Sequence, residues 1–312
     1  GRRIADALPR APVGSELAFR LELETRLADL GTKDPEEVRK GIFEMYRGTT
    51  DPDRRKALVL VTAQRAAAAD QEFVLYEFSN SWVSWLKRES SERRYAEALY
   101  RSVVVERAYA KLAAGNLPDA RGNFWGATLQ TDDLESHAAF IEAAIAEGRA
   151  TVRQDYEKRF KDRPDDPVWS FAQAYFLARD LPAEQDAAAF ASAADQALAH
   201  LDRTDAGMPN AWPASLLRGF VEHQRWLRTG SADAAANALN RYLLAIDLGR
   251  DNPRALATLH FQAARLQAGI GNDAAALRHL AARERLPFAS PEAELSFGML
   301  RASCQFRLDR DR

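Results

Sequence analysis

Apolar residues along this chain recur every three or four positions over long stretches, the period of an amphipathic helix. In residues 95–114 the spacing places Leu99, Ser102, Val105, Tyr109 and Leu112 on one predicted stripe. Near the start, Leu17, Leu21, Glu24 and Leu27 mark successive turns of a helix expected from Ser15 to about Leu30. A fourth predicted helix carries Phe73, Tyr76, Phe78, Trp82 and Trp85, before a charged break from Lys87 to Arg94. No stretch alternates apolar and polar residues with enough β-branched content to demand a strand.

Helix boundaries follow from caps and breakers. Asp34-Pro35-Glu36-Glu37 supplies an N-cap, a first-turn proline and two acids facing the helix dipole, and Asp51-Pro52 repeats the device. Breaks are expected at Gly115-Asn116, Gly148-Arg149, Arg179-Asp180, Thr229-Gly230 and Gly271-Asn272. Their intervals are 33, about 31, about 51 and 41 residues, irregular but within the range of helical repeats. Prolines punctuate the joints between pairs: Pro164 and Pro167, Pro209 and Pro213, Pro253, then Pro287 and Pro291. The spacing predicts short-turned helical hairpins, with an extended arm over residues 1–14, helical pairs over 15–94 and repeats over 95–312. Residues 183–205 are expected to form a long second helix followed by an insertion from Asp202 to Pro209. An ordinary helical bundle with glycines in its loops is the other reading of this pattern.

Three partial matches carry a family resemblance. Ala108, Gly115, Ala120, Phe124 and Ala127 are the first; Ala264, Gly271, Ala276 and Leu280, with Pro287 following, are the second. Trp226, Gly230, Ala235 and Leu239 are the third, with Tyr242 standing where a small residue is the rule, and Arg153 departs from the pattern in the same way. On these residues the chain resembles the tetratricopeptide-repeat family, whose unit is two antiparallel helices of about 34 residues. The resemblance implies an all-α solenoid of antiparallel hairpins in a right-handed superhelical stack, with first helices lining a concave groove. Carried over position by position, it picks out Tyr109, Trp169, Gln173, Phe176, Phe220, Gln224, Arg228, Phe261 and Arg265 as partner-binding residues. The chaperone-binding carboxylate clamp of some members is not recognisable.

Composition narrows the function classes. The chain has 312 residues, 46% hydrophobic and 28% charged, the balance of a folded protein. Its 43 basic and 45 acidic side chains leave a net charge of −2, which argues against a nucleic-acid partner. A single cysteine, Cys304, excludes an internal disulfide and a cysteine-built zinc site. No apolar run of about 18 residues spans a bilayer. The chain opens with Gly1, shows no signal peptide and stops in what reads as helix, so both ends are expected to be cuts from a longer protein. Compartment is open, with cytoplasm the first expectation and periplasm the second.

Candidate chemistry is sparse. No two of the five histidines, His137, His200, His223, His260 and His279, stand at the i, i+4 spacing of paired metal ligands, so each is expected to pack a hairpin or sit on the surface. Asp132-Asp133 and Asp165-Asp166 fall just before predicted helices, where capping explains them. No phosphate loop, dinucleotide fingerprint or nucleophile elbow occurs. The expectation is therefore no catalytic residue, no metal and no cofactor, and a protein or peptide partner, or another domain of a parent chain. An all-α enzyme with an inter-helix cavity and a bacterial envelope-assembly scaffold remain the alternatives.

Overall fold

The computed structural model describes residues 12–30, 32–68, 72–85, 93–130, 132–284 and 291–310. Among them every regular element is helical: α1 (Glu16–Leu27), α2 (Pro35–Gly48), α3 (Pro52–Ala68), α4 (Glu72–Trp85), α5 (Arg93–Ala113), α6 (Leu117–Gln130), α7 (Leu134–Ala146), α8 (Val152–Phe160), α9 (Pro167–Asp180), α10 (Ala187–Gly207), α11 (Trp212–Thr229), α12 (Ala232–Leu248), α13 (Pro253–Gly269), α14 (Asp273–Glu284) and α15 (Pro291–Arg310). The chain is an all-α stack of helical hairpins. It divides into two compact units, residues 1–109 with 126–131, and residues 110–125 with 132–312. Most of the expected arm, residues 1–11, lies outside the described residues, as do the stretches 86–92 and 285–290 with Pro287.

All five expected breaks are helix ends. At Gly271 the chain enters the left-handed region (φ 83°), which a side chain resists and glycine accepts. The Asn272 N–H then bonds back to the Gln267 carbonyl at 2.8 Å, closing a Schellman turn. The Asn272 side chain next accepts from the Ala275 N–H at 3.3 Å, capping α14. One dipeptide thus ends one helix and begins its partner. Asn116 repeats this, with bonds to Lys111 and from the Asp119 N–H, and Gly230-Ser231 does so with serine as the cap. Asp133 and Asp166 cap α7 and α9, which absorbs the carboxylates that otherwise invite a metal reading.

In the first unit α1 packs on α2 and α3, and α4 on α2 and α3. Its core holds Phe19, Leu23, Ile42, Leu58, Val59, Trp82 and Val83. The buried face of α1 is Phe19, Leu23 and Leu27, rotated from the expected stripe; Leu17 is exposed.

In the second unit α7–α8, α9–α10, α11–α12 and α13–α14 are successive hairpins and α15 covers the last. The first helices α7, α9 and α11 touch one another, and the loop before α13 reaches back so that the Asn252 amide donates to Glu135 at 2.9 Å. Within this unit an aromatic ladder runs from Trp125 through Phe140, Tyr156 and Phe160 to Trp169, with successive centroids 4.9 to 6.0 Å apart. The expected insertion after Asp202 is helix instead, because α10 continues to Gly207. Leu201 and Thr204 are buried there, Thr204 donates to the Pro167 carbonyl at 3.2 Å, and Arg218 pairs with Asp202 and Asp205. These contacts hold the extra turns in place.

Candidate functional site

The first helices of the second unit's hairpins carry eight of the nine expected partner-binding residues. Tyr109, half-buried on α5, belongs to the first unit. On α9, Trp169 stacks on Phe160 with centroids 5.7 Å apart and remains half-buried. Gln173, one turn on, has its amide Nε2 buried with no hydrogen-bond partner. A buried donor left unmade costs about 1–3 kcal/mol. Phe176 is 3% exposed, set edge-on to Tyr156 and covered by the Arg153 guanidinium 5.1 Å from its ring. Its ring is spent on packing.

On α11, Phe220 and Gln224 are half-buried one turn apart, and Leu217, Val221 and His223 beside them are buried. Arg228, near the helix end, is committed: it donates to the Glu184 and Gln185 carbonyls and lies over Phe190 at 5.6 Å. It holds the segment before α10. On α13, Phe261 packs against the cluster of Ala264, Leu280 and Phe297. Arg265 is exposed, and its charge reaches His223 and Tyr242. Of the nine, Arg228 and Arg265 are exposed, Tyr109, Trp169, Gln173, Phe220, Gln224 and Phe261 are half-buried, and Phe176 is buried.

A pocket of about 450 Å³ opens beside the α7–α8 turn, with Ile145, Val152 and Phe176 as apolar lining and Arg149, Arg153 and Arg179 as cations. Each cation already has an acid: Asp155 at 3.7 Å, Asp180 at 2.9 Å and Glu142 at 3.2 Å respectively. The charges cancel locally, so the pocket is not an anion trap.

Sequence reasoning missed a recurrent ring pair. His137 on α7 meets Tyr156 on α8 with Nδ1 and the phenol oxygen 2.7 Å apart. His223 on α11 meets Tyr242 on α12 at 3.2 Å, and His260 on α13 meets His279 on α14, Nδ1 to Nδ1, at 3.1 Å. In all three the partners are 19 residues apart, a spacing that was visible in the sequence. In the two tyrosine pairs the histidine tautomer decides which group donates: the phenol to a bare Nδ1, or Nδ1–H to the phenol oxygen. Burial, and then the charge of Arg159, lowers His137 to about 3; burial and then Arg265 lowers His223 to about 4. Burial raises both tyrosines. These histidines stay neutral and lock hairpins; none is poised as an acid–base catalyst at neutral pH. Cys304 is likewise inert: buried, with its thiol pushed up to about 11 by burial and then by Asp273. Among the described residues no group of three or more histidine, cysteine, aspartate or glutamate side chains is placed to hold a metal.

The glycine turns, paired caps and first-on-first helix packing define an α-solenoid of tetratricopeptide-like hairpins. Solved structures similar to this chain include TTC0263, a tetratricopeptide-repeat protein of Thermus thermophilus, at 17% identity and TM-score 0.47 over 66% of this chain and 99% of that one. A tetratricopeptide-repeat protein of Parabacteroides merdae is similar at 10% identity and TM-score 0.46, over 92% and 98%. Yeast Tom70 is similar at 12% and 0.45, over 96% of this chain and 62% of that one. No protein-family model matches the sequence, and no curated protein does.

Proposed function

We propose that this chain is a docking module that binds a protein or peptide segment along the first helices of its second unit's hairpins. The observation that supports the reading is the set of partly accessible side chains on the first helices α9, α11 and α13: two half-buried aromatics, Trp169 and Phe220, the half-buried amides Gln173 and Gln224, and the exposed Arg265. Aromatics give contact area at low entropic cost, amides bond to main-chain groups, and arginine selects carboxylates. The partner is a segment mixing apolar and acidic residues, whether from a separate protein or from another domain of a parent chain. No helix among the described residues is long and apolar enough to cross a membrane.

The test is binding to an array of acidic peptides bearing leucine or aromatic residues, with wild type and a Phe220→Ala/Gln224→Ala variant side by side. Captured peptides should bind the variant at least tenfold more weakly while its helical circular dichroism is unchanged. Equal binding by the two proteins, or no peptide captured by either, sinks this placement of the surface.

A further inference from the structure

The three ring pairs share a spacing, and the pairs of α7–α8 and α13–α14 also share a place relative to the turn glycine, one helical turn from the place of the α11–α12 pair. In α7–α8 and α11–α12 the second ring is a buried tyrosine, and His137 and His223 are 1% and 4% exposed. In α13–α14 the second ring is His279, and both histidines are half-buried, within reach of solvent. Their ring centroids are 5.4 Å apart with planes inclined by 44°. A tyrosine hydroxyl is a poor ligand for a metal ion at neutral pH, whereas neutral imidazole is a favoured one.

The distance between the two nitrogens has the size of a chelate bite. Metal–nitrogen bonds of about 2.0–2.1 Å spanning the observed 3.1 Å give an N–metal–N angle of about 98°. That lies between the square arrangement of Cu²⁺ or Ni²⁺ and the tetrahedron of Zn²⁺. The ring nitrogens now face each other along a hydrogen bond. One of the two carries the shared proton; moving that proton to Nε2 of the same ring frees both Nδ1 lone pairs, and turning the rings about χ2, a soft torsion, aims them at one point beside the line between them. The remaining positions go to water.

We propose that His260 and His279 form a bidentate site for a divalent transition metal, bridging α13 and α14 and leaving open coordination positions. The two histidines are distinct from Trp169, Gln173, Phe220, Gln224 and Arg265, although His260 shares α13 with Arg265, and metal titration reads this site separately from peptide binding.

The experiment titrates the 312-residue chain with Ni²⁺ and with Zn²⁺, each alone, in a non-coordinating buffer by calorimetry. His260→Ala, His279→Ala and His279→Tyr are run in parallel. The last recreates the histidine–tyrosine pair of α7–α8 while deleting one ligand, and circular dichroism checks that each variant keeps its helices. His200→Ala serves as the control for a histidine outside any pair. One site per chain is expected, with affinity falling tenfold or more in each of the three pair variants and unchanged in the control. No site in the wild type, or a smaller loss in any of the pair variants, overturns the proposal.

Discussion

In hairpin α11–α12 the paired ring on the second helix is Tyr242, wholly buried, and in α13–α14 the ring paired at the same 19-residue spacing, one turn nearer the glycine, is His279, half-buried. Both hairpins turn at a left-handed glycine, and both restart with a polar cap immediately after it. The backbone plan therefore brings two rings together in each, and side-chain identity decides what the contact becomes. Tyr242 is accommodated because Gly219 has no side chain: a Cβ there would come within 2.7 Å of the phenol ring. The small-residue position and the bulky one have exchanged helices, which is why Tyr242 departs from the repeat pattern without breaking the hairpin. The α13–α14 pair instead remains exposed enough to respond to solvent.

Truncating the two rings should separate the hairpins most clearly. Tyr242→Ala removes a fully buried aromatic and strands the His223 nitrogen, a loss of about 3–5 kcal/mol. His279→Ala removes a half-exposed ring and should cost below about 1 kcal/mol. Urea unfolding of the two variants measures both, and similar losses would break the comparison.

Acid should act mainly through the buried pairs. His137 and His223 have folded pKa values of about 3 and about 4, below the unfolded value of 6.5. Depressed histidines favour folding while neutral, so their contribution is complete above about pH 6.5 and declines as pH falls toward 4. Each is worth on the order of 2–3 kcal/mol across that window. His223→Phe should flatten the slope of unfolding free energy between pH 6.5 and 4.5. An unchanged slope would mean that the buried pair does not control acid stability.

Gly219→Ala should be the mildest of the core changes, at about 1–3 kcal/mol for overpacking against Tyr242. Combined with Tyr242→Phe it should still destabilise, since the ring and not the hydroxyl meets the new methyl. Placed instead on a Tyr242→Ala background, Gly219→Ala should cost almost nothing. A full cost in that double variant would refute the exchange of small and large residues between helices.

The hairpin turns were legible because their causes are local. A left-handed glycine and the polar cap after it act within five residues, and the breaks at Gly115-Asn116, Thr229-Gly230 and Gly271-Asn272 were readable for that reason. The buried faces were less legible. In α5 the core takes Ala96, Tyr100, Val104 and Ala108, whereas the larger Leu99 and Leu112 stay partly exposed. Alanine is buried there because close helix approach needs a small residue, a demand set by the neighbouring helix and invisible in hydrophobicity. For the same reason Phe176 and Arg228, both on first helices of their hairpins, are already occupied, one by Arg153 and the other by the Glu184 and Gln185 carbonyls.

By itself the sequence determined that the chain is helical, where each hairpin turns, and which acids cap helices, because those outcomes depend on neighbours along the chain. Only the tertiary structure decided which stripe of each alanine-rich helix is buried, how far α10 extends, and that histidines 19 residues from their partners would meet. Those outcomes depend on close packing between helices, where a partner's shape selects among faces that one-dimensional periodicity leaves nearly equivalent.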